Sequence, residues 1–170
     1  MGLFSEFSKI KMYLNPPMWS AHSPVDETLS FSASEVDPTN PANWKSPSTQ
    51  VVSDTGNFVH LFDYTTNPGS VTYKGTQTLM FECEAVCTVK SSAVNTEVRL
   101  QWVKNGAPSG TRFVVGVIGN ANQSTLLHAS RRFELSTGDY LDFYFSADKE
   151  SIITIEHAEW EVIAIKTVYP

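Results

Sequence analysis

Two stretches constrain what this chain can fold into: residues 98–106, VRLQWVKNG, and residues 135–147, LSTGDYLDFYFSA. Successive side chains of a strand point to opposite faces. Val98, Leu100 and Trp102 therefore share one face, and Arg99 and Gln101 the other. In the second stretch Leu141, Phe143, Phe145 and Ala147 oppose Tyr140, Asp142, Tyr144 and Ser146. Each stretch is tied to a turn. Asn105-Gly106 is a pair that accepts the positive φ of a tight hairpin, and Thr137-Gly138-Asp139 opens the other strand.

The rest of the chain from about residue 49 reads as strands packed around these two. Signals recur at residues 50–53, 57–64 and, after the Asn67-Pro68-Gly69 turn, 70–74. They continue at 78–90, 96–104, 111–118, 124–135, 139–147 and 152–166. Short strands separated by turn residues, with no helical period between them, predict an all-β fold. The expected architecture is an antiparallel jelly-roll sandwich of about eight to ten strands over residues 48–170. Charged residues at only 18%, with aromatics at 12%, suit pleated, half-buried surfaces. The last segment does not alternate cleanly, because Ile152 and Ile153 are both apolar and Glu156, Glu159 and Glu161 interrupt it. It is expected to be a central strand, apolar on both faces from Val162 to Ile165.

Residues 1–47 have a different texture. Six of the nine prolines fall here, at positions 16, 17, 24, 38, 41 and 47, and they punctuate what reads as an extended arm. A short helix is expected over 3–14, where apolar residues recur at i, i+3, i+4 spacing until Asn15-Pro16-Pro17 ends it. Phe4, Phe7, Tyr13, Trp19, Phe31 and Trp44 make the arm too aromatic for a solvated tail. These six are the expected docking contacts to a partner.

Cys83 and Cys87 are the only cysteines. Four strand residues span ~13 Å, beyond the roughly 7 Å Cα limit of a disulfide, so both are expected as free, buried side chains beside Phe81, Ala85 and Val89. The histidines at 22, 60, 128 and 157 are scattered. His60 and Asp63 point to opposite faces of a strand, and His157 with Glu159 is one imidazole and one carboxylate. No catalytic or metal-binding motif appears, so no enzyme activity, cofactor or metal is expected. A net charge of −6 gives no electrostatic reason to hold nucleic acid. No run of 18 apolar residues and no signal peptide is visible, and Glu6 stands where a myristoylation signal needs Ser or Thr.

With the strands assigned, a resemblance emerges. Phe81 and the strand after it, Val98-Arg99-Leu100 leading to Lys104-Asn105-Gly106, the phrase Phe133 to Leu141 (FELSTGDYL) and the strand from Trp160 to Ile165 together resemble the jelly roll of tumour necrosis factor and of the globular complement head. The resemblance covers roughly residues 57–166, and its most telling piece is Leu135 followed by Gly138-Asp139. It implies a homotrimer. With an N-terminal arm, the layout is similar to bacteriophage virion proteins such as capsid decorations, head fibres and tail-fibre tips. The surplus of apolar side chains agrees: Phe113, Val115 and Val117 oppose Val114 and Ile118, and surplus apolar faces mark interfaces.

The chain is accordingly expected to be a virion structural protein, a trimeric decoration or fibre held to a capsid or tail protein through its arm. A second expectation is a receptor- or glycan-binding module that contacts a host surface through Asn120, Asn122 and Gln123. A third, a small icosahedral coat protein, fits less well, because the arm sets Lys9, Lys11 and Lys45 against Glu6, Asp26, Glu27, Glu35 and Asp37.

Overall fold

The computed structural model describes residues 18–22, 26–47, 52–53, 61–63, 70–106, 108 and 111–167. The short helix expected over 3–14 lies outside them. Eleven strands are described: β1 (Met18–His22), β2 (Glu27–Phe31), β3 (Val52–Ser53), β4 (Phe62–Asp63), β5 (Ser70–Tyr73), β6 (Leu79–Ser91), β7 (Thr96–Lys104), β8 (Val114–Ile118), β9 (Ser124–Leu135), β10 (Tyr140–Ala147) and β11 (Ser151–Thr167). A 3-10 turn, Pro41–Asn43, lies between β2 and β3. They form two antiparallel sheets. The first runs β3-β1-β11-β6-β9, with β2 also pairing β11, and the second runs β4-β5-β10-β7-β8.

The alternation in the sequence is what makes the sandwich. Along β6, Leu79, Phe81, Cys83, Ala85, Cys87 and Val89 are all buried, while the residues between them reach the surface. They meet Val98, Leu100 and Trp102 of β7 and Leu141, Phe143, Phe145 and Ala147 of β10 from the facing sheet. Phe143 is the hub of this layer. Its ring sits edge-on to Trp160 at 4.6 Å between centroids, to Phe145 at 5.7 Å and to Trp102 at 5.8 Å, the tilted arrangement aromatic quadrupoles favour. Cys83 and Cys87 are free and fully buried. Burial pushes the Cys87 thiol up to about 12 and raises that of Cys83 as well.

The two turns that frame the organising strands are bonded to each other. Asn105 and Gly106 take φ of +56° and +67°, the left-handed region expected of this pair, but they do not close a tight hairpin: β8 begins only at Val114. Asn105 Nδ2 donates to Asp139 Oδ1 at 2.8 Å, and Tyr140 N donates to Asn105 Oδ1 at 3.0 Å. Lys104 pairs with Asp139 at 2.7 Å, and Ser136 N donates to its Oδ2 oxygen at 2.8 Å. Burial works to raise the Asp139 carboxyl, but these donors win and hold it below the usual range.

Within the segment read as an arm, two stretches are strands of the sandwich. β1 pairs β11 over Glu159 to Ile163, and β2 pairs the same strand over Ser151 to Ile155, so the two follow one another along one side of β11. The end of β11, expected to be a central strand apolar on both faces, is buried on one face only: Val162 and Ala164 are inside, while Ile165 is exposed. Register shifts between Ile155 and His157, and again between Ala164 and Lys166, reset the alternation. Ile153 and Ile155 face inward before the first shift, and Ala158, Trp160, Val162 and Ala164 after it. A bulge inserts one extra residue and flips every later side chain to the other face, which reads in sequence as broken alternation. β11 is nevertheless central, between β1 and β2 on one side and β6 on the other.

Candidate functional site

Of the six aromatic residues expected to dock on a partner, Phe4, Phe7 and Tyr13 lie outside the described residues. Trp19 falls in β1, opposite Val162. Phe31 and Trp44 are only 2% and 4% exposed, buried within the chain itself. Phe31 joins the core as the last inward residue of β2. Trp44 is set by a compact fold of the segment around it. Its Nε1 donates to the Pro38 carbonyl at 2.8 Å, its ring meets Phe113 at 5.7 Å, and Lys45 next to it bridges to Phe145 of β10. Lys45 also lies over the Phe31 ring and pairs with Glu35 at 2.9 Å. Bonds from the Ser32 backbone, then from Lys45, hold the Glu35 carboxyl at about 2.

Asn120, Asn122 and Gln123 are all exposed, in the tight turn between β8 and β9. The turn is closed by its own groups. Gln123 Oε1 accepts from Asn120 N and Nδ2, each at 3.3 Å, and Asn122 N donates to the Ser91 carbonyl at 2.7 Å with Asn122 in the left-handed region at φ +60°.

What stands out instead is the side of the sandwich where both sheets end. β8 closes the second sheet and β9 the first, and among the described residues neither has a strand on its outer edge. The two strands pack directly: a Cβ added at Gly116 would come within 2.5 Å of Leu127 Cδ2. Beside this seam Val115 and Val117 project from the outer face of the second sheet, 48% and 61% exposed, and Leu126 from the outer face of the first, 64% exposed. Val115 and Val117 are the surplus residues noted in the sequence. Leu126 escaped notice, although the Leu126-Leu127 doublet in an alternating strand signals that one leucine faces outward. On the outer face of the first sheet Ile152 and Ile165 of β11 are also exposed, among ion pairs such as Glu82 with Arg132 at 3.2 Å and Lys90 with Glu156 at 2.9 Å.

The outer face of the second sheet is unexpectedly dry. Gln101, Asp142 and Ser146, which alternation assigns to the solvent side, are 1%, 7% and 0% exposed. The Gln101 amide and the Ser146 hydroxyl have no hydrogen-bond partner. Burial alone pushes the Asp142 carboxyl up to about 7. No group of three or more His, Cys, Asp or Glu side chains among the described residues is placed to hold a metal ion, and none of the described helices is long and apolar enough to cross a membrane.

No protein-family model matches the chain, and neither does any curated protein sequence. Solved structures do share its fold. The globular domain of zebrafish complement 1qA protein superposes with a TM-score of 0.51 at 13% identity, covering 89% of this chain and 99% of that one. The Eiger TNF of S. frugiperda gives a TM-score of 0.53 at 9% identity, covering 91% and 96%. The PRD1 vertex protein P5 gives 0.51 at 9% identity, covering 89% and 99%. The chain is thus a two-sheet jelly-roll sandwich of the kind found in tumour necrosis factor and complement heads, as the turn phrases in the sequence implied.

Proposed function

We propose that this chain is a trimeric structural protein of a virion, a capsid decoration or fibre held to a capsid or tail protein by residues ahead of β1. The observation that carries the proposal is the apolar seam. Val115 and Val117 on the outer face of β8 and Leu126 on the outer face of β9 are exposed where two sheet edges end together, and unpaired edges with apolar side chains are surfaces that proteins cover. A cyclic trimer joins two different patches of each subunit. The β8 edge, with Val115 and Val117, supplies one, and the outer face of the first sheet, with Leu126, Ile152 and Ile165, supplies the other. The likeness to a vertex protein supports a place on a particle, and Phe4, Phe7 and Tyr13 supply apolar groups for the tether. On this reading the chain binds and stabilises rather than catalyses.

Deleting residues 1–17 spares every described strand and tests the tether. Particles assembled with the shortened chain are expected to lack it while the free protein stays folded and trimeric. Full incorporation of the shortened chain would overturn the proposal.

A further inference from the structure

β8 leaves β7 early. Their last registered pair is Leu100 with Val114, and beyond it β7 runs on to Lys104 without β8 alongside. The gap is a cavity of about 360 Å³ at the edge of the sandwich, with Arg112 and Phe113 on one side and Ser130 and Arg131 of β9 on the other. It is basic in an acidic protein: no carboxylate lines it, and among the described residues neither arginine is in an ion pair. Arg131 is held in place without being neutralised. Its Nη1 donates to the Trp102 carbonyl at 2.9 Å, and its guanidinium lies 4.7 Å from the Phe133 ring centre. Burial, and then the nearby Arg112 charge, lowers its pKa, so a carboxylate beside the two relieves a repulsion.

The opposite excess stands on the outer face of the first sheet. Glu84 of β6 and Glu161 of β11 are directly opposed in the register, which sets like charges on Cβ atoms only about 5 Å apart and is destabilising. Both point outward, because their neighbours Cys83, Ala85, Trp160 and Val162 are inside. Glu84 has only a 3.8 Å approach to His128, and Glu161 is in no ion pair among the described residues. The acidic pair and the basic cleft also lie level along the strands. Glu84 is registered with Glu161 on one side and with Ser130, at the cleft, on the other.

We propose that the cleft is completed by a second copy of this chain, whose Glu84 and Glu161 carboxylates meet Arg112 and Arg131. The inference rests on the trimer reading above and supplies its electrostatic contact. A threefold axis running with the strands carries the edge of one copy to the face of the next without changing height, so the two levels coincide. Guanidinium and carboxylate match as a planar two-point pair, and patches of opposite sign fix register and orientation across an interface. A closed ring uses each patch once in every subunit.

The test is charge reversal in the full chain, read as the trimer dissociation constant by analytical ultracentrifugation, with circular dichroism as the control for folding. Arg112 is exposed and Glu161 half-buried on the surface. Arg112→Glu and Glu161→Arg are each expected to weaken the trimer about tenfold or more. Combining them restores the pair with its signs exchanged and should recover most of the loss, as should Arg112→Glu with Glu84→Arg. Arg112→Gln and Glu161→Gln should weaken the trimer by a smaller factor, and they serve where a reversal alters the spectrum. Lys149→Glu, on the loop between β10 and β11, should change nothing. A parent that runs as a single chain overturns the trimer reading and this inference with it. A trimeric parent whose dissociation constant survives both single changes, or whose double variants are no tighter than the single ones, overturns this inference alone and leaves the cleft to a free anion or another protein.

Discussion

Replacing Asp142 by asparagine should stabilise the protein, and by an amount that depends on pH in a defined way. Asp142 sits on β10 opposite Val103 of β7 and Ser70 of β5, 7% exposed. Burial moves its carboxyl from 3.8 to about 7. Between those values the native chain keeps a proton that the unfolded chain has released. Stability therefore falls as pH rises through this window and levels off above about 7. A displacement of roughly three units at about 1.4 kcal/mol each sets an upper limit of about 4 kcal/mol. The substituted amide carries no charge in either state, so Asp142→Asn should match the parent near pH 3.5 and exceed it by up to that amount at pH 8. Urea unfolding of both proteins at pH 3.5, 5, 6.5 and 8, at one fixed protein concentration, measures the difference, and other titrating groups cancel in it. A second readout is the Tyr144 phenol, raised by burial and then by the Asp142 charge, which should titrate lower in the variant. A stability difference that stays flat from pH 4 to 8, or a variant weaker than the parent at pH 8, would refute the reasoning.

Other perturbations test the packing. Phe143→Ala removes the hub between Trp102, Phe145 and Trp160 and should cost about 3–5 kcal/mol in chemical unfolding; a loss below about 1 kcal/mol would mean the rings do not pack as described. Gly116→Ala drives a methyl to 2.5 Å from Leu127 Cδ2 and 3.2 Å from Thr125 Cγ2. That should cost about 1–3 kcal/mol, and an unchanged melting temperature would contradict a close β8–β9 seam. Cys83 and Cys87 should resist a thiol reagent in the native protein at pH 8 and react fully in urea, because both are buried and held protonated. Rapid native labelling of either would place that strand elsewhere.

The strands from β5 to β11 were legible because alternation and turn chemistry agree there, and their ends match to within a few residues. The phrase around Gly138-Asp139 carried the fold class, since its turn is bonded to the Asn105 turn as well as to itself. β1 and β2 were missed because five-residue strands among prolines give too short a period, and their partner β11 lies over a hundred residues away. Bulges in β11 hid its inward face for the same physical reason: pairing with β6, not local sequence, decides where an extra residue is accommodated. Gln101 and Asp142 read as solvent-facing because alternation gives the face and not what covers it. The sequence pointed to Val115 and Val117 as surplus apolar residues, whereas the basic cleft between β7, Arg112 and β9 joins segments that only the fold brings together.

Whether another copy of the chain covers the seam is measured most directly by light scattering on the full-length protein at micromolar concentration. A mass of three times the 18.9 kDa chain is expected, falling to one chain in Val117→Glu/Leu126→Glu while circular dichroism keeps the all-β spectrum. A parent protein that runs as a single 18.9 kDa chain would contradict a trimer built on that seam.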